Sequence, residues 1–180
     1  MPAADPEPPL EALLVAVAAE DRAAFAELYR RTAAKLNGIV RRILPEGGLA
    51  DEAMQDAYVR VWRSAAGYDA RRGRPITWLA AIARNIAIDV RRREVARGSL
   101  RNEELQPDVM AADPGTPLET SVALERCLDG LDREHRDMIV GAYCHGLSRE
   151  ELAERHGRPV GTVKSWLHRG LAGLKACLEG

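Results

Sequence analysis

Arginine is concentrated in one stretch of the chain, Arg71 to Arg97, which holds eight arginines and only two acidic residues. Pro75 suits the first turn of an α-helix, because the N–H that it lacks would have no partner there. From that point, apolar residues recur at the spacing of one helix side, namely Ile76, Leu79, Ile82, Ala83, Ile86 and Val90. The opposite side is basic with one apolar residue at its centre: Thr77, Arg84, Asn85, Ile88, Arg91 and Arg92. Because guanidinium groups bind phosphate oxygens, the stretch predicts a helix that contacts a polyanion.

A second basic stretch, Arg155 to Lys175, contains five cations and no acidic residue, although the formal net charge of the whole chain is only −1. The segment between the two basic stretches carries scattered acids, namely Glu103, Glu104, Asp108 and Asp113. Two separated positive stretches on a nearly neutral chain indicate two contacts with one polyanion. They are not typical of a protein that coats nucleic acid without specificity.

The second basic stretch begins with the pattern of a helix-turn-helix. Ser148 and Glu151 have the spacing of a capping box at a helix start. Gly157 is placed to end that helix with a left-handed residue, and Pro159 to begin the next one. In such a motif the second helix reads base edges in the major groove, while flanking cations hold phosphates. A helical hairpin with a charged outer side and no DNA-binding role is the alternative. The candidate DNA contacts are Arg158, Thr162, Lys164, Ser165, His168, Arg169 and Lys175.

A third candidate surface lies on a helix predicted over Leu49–Ala66. Its outward and bordering residues are Glu52, Gln55, Asp56, Val59, Arg60 and Arg63. One interpretation is an ordinary solvated amphipathic helix. The other is a protein-docking surface, because acidic residues around an exposed valine suit a basic, partly apolar partner helix.

The composition predicts an all-α protein. It is rich in Ala, Leu, Arg and Glu and has a single Phe, which favours helix over strand. We expect a helical bundle in a domain over residues 1–97, a flexible acidic linker over 98–118, and a four-helix domain over 119–180. The first domain should include helices over about Leu10–Glu20 and from Asp21, as N-cap, to near Pro45. The second should have helices near 119–129, 133–145, 149–156 and 160–178.

Several classes of protein are disfavoured by the sequence. No run of apolar residues is long enough to span a bilayer, and the acidic, Pro-rich start does not resemble a signal peptide. We therefore expect a cytoplasmic protein, in which Cys127, Cys144 and Cys177 would be reduced structural thiols. No catalytic motif, phosphate-binding loop or metal-ligand spacing is present, so neither an enzyme nor a bound cofactor or metal is expected.

Three segments in this order resemble extracytoplasmic-function (ECF) sigma factors, the small two-domain, group IV class of bacterial transcription initiation factors. DEAMQDAYVRVWR is similar to the segment that docks on the clamp helices of the largest subunit of RNA polymerase. ITWLAAIARNIAIDVRRR is similar to the segment that melts and reads the promoter −10 element. GLSREELAERHGRPVGTVKSWLHRGLAGLK is similar to the helix-turn-helix that reads the −35 element. The resemblance extends from about Leu10 to Leu178.

The resemblance implies roles for the three candidate surfaces. The outward residues of the Leu49–Ala66 helix would bind polymerase, and the second basic stretch would bind the −35 duplex. The −10 contacts would be Trp78, Arg84, Asn85, Ile88, Arg91, Arg92 and Arg93. Trp78 could instead be a core residue, since it lies at the edge of the apolar stripe. Many members of the family have Arg where Trp166 stands, which makes Ser165, His168 and Arg169 the better candidates for −35 contact.

The resemblance further implies that the linker threads the polymerase cleft and that an anti-sigma protein holds the factor inactive. We expect the free chain to be a monomer that opens promoter DNA only with core polymerase. Two other functions fit parts of the sequence. A ligand-responsive, dimeric helix-turn-helix regulator would bind a palindromic operator without polymerase. A purely protein-binding helical scaffold would tolerate reversal of the charges of Lys164 and Arg169.

Overall fold

The structure is a computed structural model, and it describes residues 7–99 and 118–179. These residues form α-helices and two short 3-10 turns and contain no strand, which confirms the predicted all-α class. The helices are α1 Leu10–Ala18, α2 Arg22–Ile43, α3 Gly47–Ser64, α4 Pro75–Arg97, α5 Leu118–Asp129, α6 Arg133–Tyr143, α7 Arg149–His156 and α8 Val160–Glu179. The 3-10 turns, Ala65–Gly67 and Ala70–Arg72, lie between α3 and α4.

The chain divides into two compact units between Val90 and Arg91, a point within α4. The predicted linker over 98–118 lies almost wholly outside the described residues. The functional domains predicted over 1–97 and 119–180 therefore remain predictions.

The first unit has a core in which α1, α2 and α3 pack together. Its fully buried side chains include Leu14, Leu28, Leu36, Val40 and Val61. As predicted, α2 begins at an Asp21 cap, whose carboxylate accepts hydrogen bonds from the backbone N–H of Ala23 at 2.8 Å and of Ala24 at 3.1 Å. This cap satisfies N–H groups that the first turn of a helix otherwise leaves without partners.

One buried polar contact ties α2 to α3. The Thr32 side chain is 1% exposed, and its hydroxyl oxygen lies 2.7 Å from the Leu28 carbonyl and 2.8 Å from the Tyr58 hydroxyl. Burial raises the pKa of Tyr58 above its ordinary value, because the ionised phenolate would lose hydration. Since buried polar groups are costly without partners, this contact fixes how the two helices face each other.

Helix α4 begins at Pro75, as predicted, and buries Leu79, Ala83 and Val90. The predicted position of Ile88 is wrong, because this residue is only 7% exposed although it was assigned to the outer side. Arg91, assigned to the same side, is 8% exposed. The buried part of α4 is therefore wider than one stripe of every third or fourth residue. The physical reason for the burial of Ile88 is that transfer of its apolar side chain out of water lowers the free energy of the folded protein.

In the second unit, α6, α7 and α8 surround a core made by Met138, Leu147, Leu152 and Val163. A second cluster, with Cys127, Leu128, Ile139 and Leu174, joins α5 to α6 and α8. Gly170 lets α8 approach α6 closely, since a Cβ atom at this position would lie 2.6 Å from Ile139 Cδ1.

A disulfide between Cys127 and Cys177 links α5 to α8, with the Cα atoms 5.9 Å apart. The prediction of three reduced thiols is therefore wrong for these two residues, and only Cys144 remains a thiol. The prediction relied on the compartment in which disulfides usually form. Packing of α5 on α8 brings the two backbones within the Cα separation that a disulfide requires.

We expect the double substitution Cys127→Ser and Cys177→Ser to destabilise the second unit. The disulfide spans 50 residues, and closing a loop of that size in the unfolded chain corresponds to about 4 kcal/mol. Hydrogen exchange measured by mass spectrometry should show faster exchange in peptides from α5 and α8 and unchanged exchange in those from α1 and α2. Cys144→Ser is the matched control. Equal protection of α5 and α8 in the double variant and the wild type would contradict the prediction.

Candidate functional site

A groove of about 1060 Å³ runs between α2 and α3 on the surface of the first unit. Aromatic and small apolar side chains line its floor, and polar side chains stand at its edges. The lining residues are Phe25, Tyr29, Ala33, Ala34, Asn37, Asp51, Met54, Gln55, Tyr58, Val59, Trp62 and Arg63. Such a combination of apolar floor and polar edge is typical of protein-binding surfaces.

The aromatic floor of the groove is a connected cluster. The Phe25 ring meets the Trp62 ring edge-on at 5.1 Å between centroids and the Tyr58 ring at 6.0 Å. The Tyr29 and Tyr58 rings are 4.6 Å apart. Because these rings pack on one another, the contacts hold each ring in position although Tyr29 is half exposed to solvent.

All six residues predicted to bind polymerase are exposed on α3. Gln55, Val59 and Arg63 line the groove, whereas Glu52, Asp56 and Arg60 do not. The residues predicted for docking did not include Tyr29 of α2, which is 50% exposed and lines the groove. The spacing of apolar residues along α2 cannot separate core from groove, because both are apolar and lie on adjacent sides of the helix.

The seven residues predicted for the −10 element do not form one exposed surface. Asn85, Arg92 and Arg93 are exposed and Arg84 is half-buried, while Ile88 and Arg91 are buried.

Trp78, the seventh of these residues, is also half-buried, and the centroid of its ring lies 5.7 Å from that of the Tyr68 ring. The Tyr68 hydroxyl in turn donates a hydrogen bond to the Gly73 carbonyl at 3.0 Å. Trp78 thus packs on Tyr68, which lies between the two 3-10 turns.

In the second unit, the start of α7 and the turn that leads from α7 into α8 have the predicted geometry. Ser148 Oγ accepts from the Glu151 N–H at 3.1 Å, and the Glu151 carboxylate accepts from the Ser148 N–H at 2.7 Å, which completes a capping box. Gly157 is left-handed, with φ of 60°. The Arg158 N–H then donates to the Ala153 carbonyl at 2.9 Å, which closes the end of α7.

Helix α8 presents five of the predicted DNA contacts to solvent: Lys164, Ser165, His168, Arg169 and Lys175. Thr162 is half-buried. The Ser165 hydroxyl donates to the Gly161 carbonyl at 3.0 Å, so it can still accept a hydrogen bond from a ligand. The exposed side of α8 therefore carries cationic and hydrogen-bonding groups over three turns of helix.

Arg158, the remaining predicted contact, is paired within the protein. Its Nε and Nη2 donate to the two carboxylate oxygens of Glu134 at 2.9 and 3.0 Å, and its Cζ lies 5.3 Å from the centroid of the Trp166 ring. The guanidinium lowers the pKa of Glu134, and the carboxylate raises that of Arg158. The Trp166 ring also contacts the His135 ring, at 4.4 Å between centroids. The Glu134–Arg158 pair could not be predicted from local patterns, because its members are 24 residues apart.

Within the described parts of the chain, no group of three or more His, Cys, Asp or Glu residues is arranged to hold a metal ion. None of the helices there combines the length and the apolar character needed to cross a bilayer. The surfaces above are therefore the strongest candidates for function.

Comparison with known proteins assigns both units to one family. The sigma-70 region 2 model matches residues 28–97, and the sigma-70 region 4 model matches residues 121–174. The chain is 37% identical over 177 residues to the ECF RNA polymerase sigma factor SigK of Mycobacterium ulcerans, with 94% of each chain covered. This chain belongs to the ECF sigma factor family. The resemblance inferred from the three sequence segments is thereby confirmed.

A second curated relative gives the same assignment. The SigK factor of Mycobacterium bovis is 35% identical over 178 residues, again with 94% of each chain covered. Among solved structures, CnrH in complex with the cytosolic domain of CnrY is similar with a TM-score of 0.42 and 24% identity, over 94% of this chain and 96% of that one. In this ECF sigma factor, the α2–α3 groove falls mostly in the region 2 match, and α7 and α8 fall mostly in the region 4 match.

Proposed function

We propose that the two family-matched regions of this ECF sigma factor have separate roles in promoter-specific initiation. The region 2 match, residues 28–97, docks on core RNA polymerase and reads the −10 element, and the region 4 match, residues 121–174, reads the −35 element. The observation that carries the proposal is the presence, in one chain, of an apolar docking groove and a separate exposed basic helix. Each falls mostly within one of the two family matches.

The α2–α3 groove is the proposed polymerase site. Val59 is 47% exposed and lies among the lining residues, beside the aromatic floor and the polar side chains of Gln55 and Arg63. Burying aromatic and aliphatic groups behind a polar rim is how most protein interfaces gain affinity. We assign the partner as the clamp helices of the largest polymerase subunit. Glu52 and Asp56, exposed on α3, would attract a basic partner.

We expect Val59→Glu to weaken binding of the full chain to core RNA polymerase by tenfold or more. A carboxylate placed in the apolar centre of the interface would lose its hydration, which costs more than attraction to cations at the rim returns, whereas in the free protein it would stay hydrated. Val15→Glu is the matched control, because Val15 on α1 is 70% exposed and lies outside the groove. Binding can be measured by anisotropy of the labelled chain titrated with core enzyme. Equal affinities of the two variants would exclude the groove as the docking site.

The proposed −10 contacts on α4 are Arg84, Asn85, Arg92 and Arg93, with Trp78 supporting the start of the helix. Reading single bases requires that they leave the duplex stack, at a cost of a few kcal/mol per step. A chain with a net charge of −1 gains little from nonspecific attraction to DNA. We therefore propose that the free factor binds promoter duplex weakly and opens it only as part of the holoenzyme.

Helix α8 is the proposed −35 reader. His168 and Arg169 lie next to each other on its exposed side, and Lys164 and Ser165 lie one turn earlier. Arg is the residue that most often reads guanine, through paired hydrogen bonds to O6 and N7. Lysines near the ends of such a helix contact phosphates and set its register on the duplex. Ile88 and Arg91 are buried in the structure, and we give them no direct DNA contact in this proposal.

We expect Arg169→Ala to remove the preference for one base pair in the upstream element. The loss of one paired base contact corresponds to about 1–3 kcal/mol of discrimination. The measurement is selection of duplexes from a random-sequence pool by holoenzyme, followed by sequencing. Arg126→Ala, at an exposed position on α5, is the control for the loss of one charge. If both variants select the same sequences as the wild type, Arg169 does not read bases.

The remaining parts of the proposal concern regulation and location. We propose that an anti-sigma protein covers the polymerase-binding and DNA-binding surfaces, that the free factor is a cytoplasmic monomer, and that the linker follows the polymerase cleft. These parts rest on membership of the family.

A further inference from the structure

Arg158 occupies an unusual place among the cations of the second unit. It lies in the turn that leads into α8, where a DNA phosphate would approach a helix-turn-helix. Unlike the side chains of Lys164 and Arg169, which form no ion pair within the described residues, its guanidinium is held by the two oxygens of Glu134. It is also held over the ring of Trp166. Its position is therefore fixed from α6 and from α8.

The pair changes the charge that DNA meets. Glu134 and Arg158 together have no net charge, and two of the five guanidinium N–H groups already donate to the carboxylate. A phosphate that binds Arg158 must displace Glu134 or approach close to its negative charge. The side chains of both residues are partly exposed, at 34% and 46% respectively, so an incoming phosphate has access to the pair.

The surroundings of Glu134 support a specific placement. It lies in the first turn of α6, next to His135, whose N–H is capped by Asp132 at 3.0 Å. The His135 ring contacts Trp166, which is partly buried against the core of the second unit. The first turn of α6 and the middle of α8 are thus joined by direct contacts, and Glu134 extends from this junction to the α7–α8 turn.

We propose that Glu134 is a positioning residue that lowers the affinity of the second unit for DNA by holding Arg158 away from phosphate. The inference rests on the proposed −35 function of α8. It gives Arg158 a conditional role, because this residue contacts DNA only when a phosphate outcompetes Glu134. Weak binding by the isolated factor would then come partly from this pair as well as from the low net charge.

The test is binding of the full chain to a short, fluorescently labelled, mixed-sequence duplex, measured by anisotropy over a range of salt concentrations. Glu134→Gln should bind several-fold more tightly than the wild type at low salt. The logarithmic slope of affinity against salt should become steeper by about 0.9, the value for one additional phosphate contact. Circular dichroism and thermal unfolding would check that the variant keeps its fold, as expected for a partly exposed pair.

Two further variants separate this role from a general effect of charge. Glu125→Gln makes the same charge change at an exposed position on α5 and should leave the salt slope unchanged. In an Arg158→Gln background, the gain from Glu134→Gln should disappear. The proposal is overturned if Glu134→Gln binds no more tightly than Glu125→Gln, or if its gain persists without Arg158. If Glu134→Gln does not fold, Glu134→Asp, which cannot span the same distance, must reproduce the steeper slope.

Failure of this inference can be told apart from failure of the proposed function. If the wild type binds the duplex and Lys164→Ala with Arg169→Ala abolishes that binding, α8 is the DNA-binding element whatever Glu134 does. If the double variant binds as well as the wild type, the −35 assignment is wrong and the inference about Glu134 is wrong with it.

Discussion

The turn between α7 and α8 is the constraint on which the DNA-binding account depends. Hydrogen bonds of the capping box fix where α7 begins, and a left-handed Gly157 fixes where it ends. The direction of α8 then follows from the buried contacts of Val163 and Leu174 with the rest of the second unit. Because these contacts and the close approach at Gly170 hold α8 against α6, its exposed cations occupy defined positions, and so does Arg158 at its start. A loosely held helix could present the same charges but could not read a sequence.

In the first unit, one aromatic cluster serves both stability and recognition. Tyr58 is buried and hydrogen-bonded to Thr32, while Tyr29, in ring contact with it, is half exposed. The floor of the groove is therefore continuous with the core, and a partner that fills the groove extends that core. Such continuity limits rearrangement on binding, which reduces the entropic cost of association. It also explains why substitutions at Phe25 or Tyr58 would report on folding, whereas Val59 reports on docking.

The features that could be predicted from the sequence are the local ones. The Asp21 cap, the capping box at Ser148 and the left-handed Gly157 depend on residues within a few positions of one another, so their patterns identified them. Features that depend on how helices face each other could not be predicted. Burial of Ile88, exposure of Tyr29, the Cys127–Cys177 disulfide and the Glu134–Arg158 pair all require knowledge of which helices pack together. The apolar residues of a buried helix stripe and those of an exposed groove have the same spacing along the sequence, so the spacing does not distinguish them.

The central claim is that this chain directs core RNA polymerase to promoters that share two separated sequence elements. The most direct measurement is run-off transcription by purified core polymerase on fragments of the source genome, with and without the full chain, followed by sequencing of the transcripts. The account predicts discrete start sites that require the chain and share sequence at two positions upstream of each start. The same transcripts in the presence and absence of the chain would contradict it.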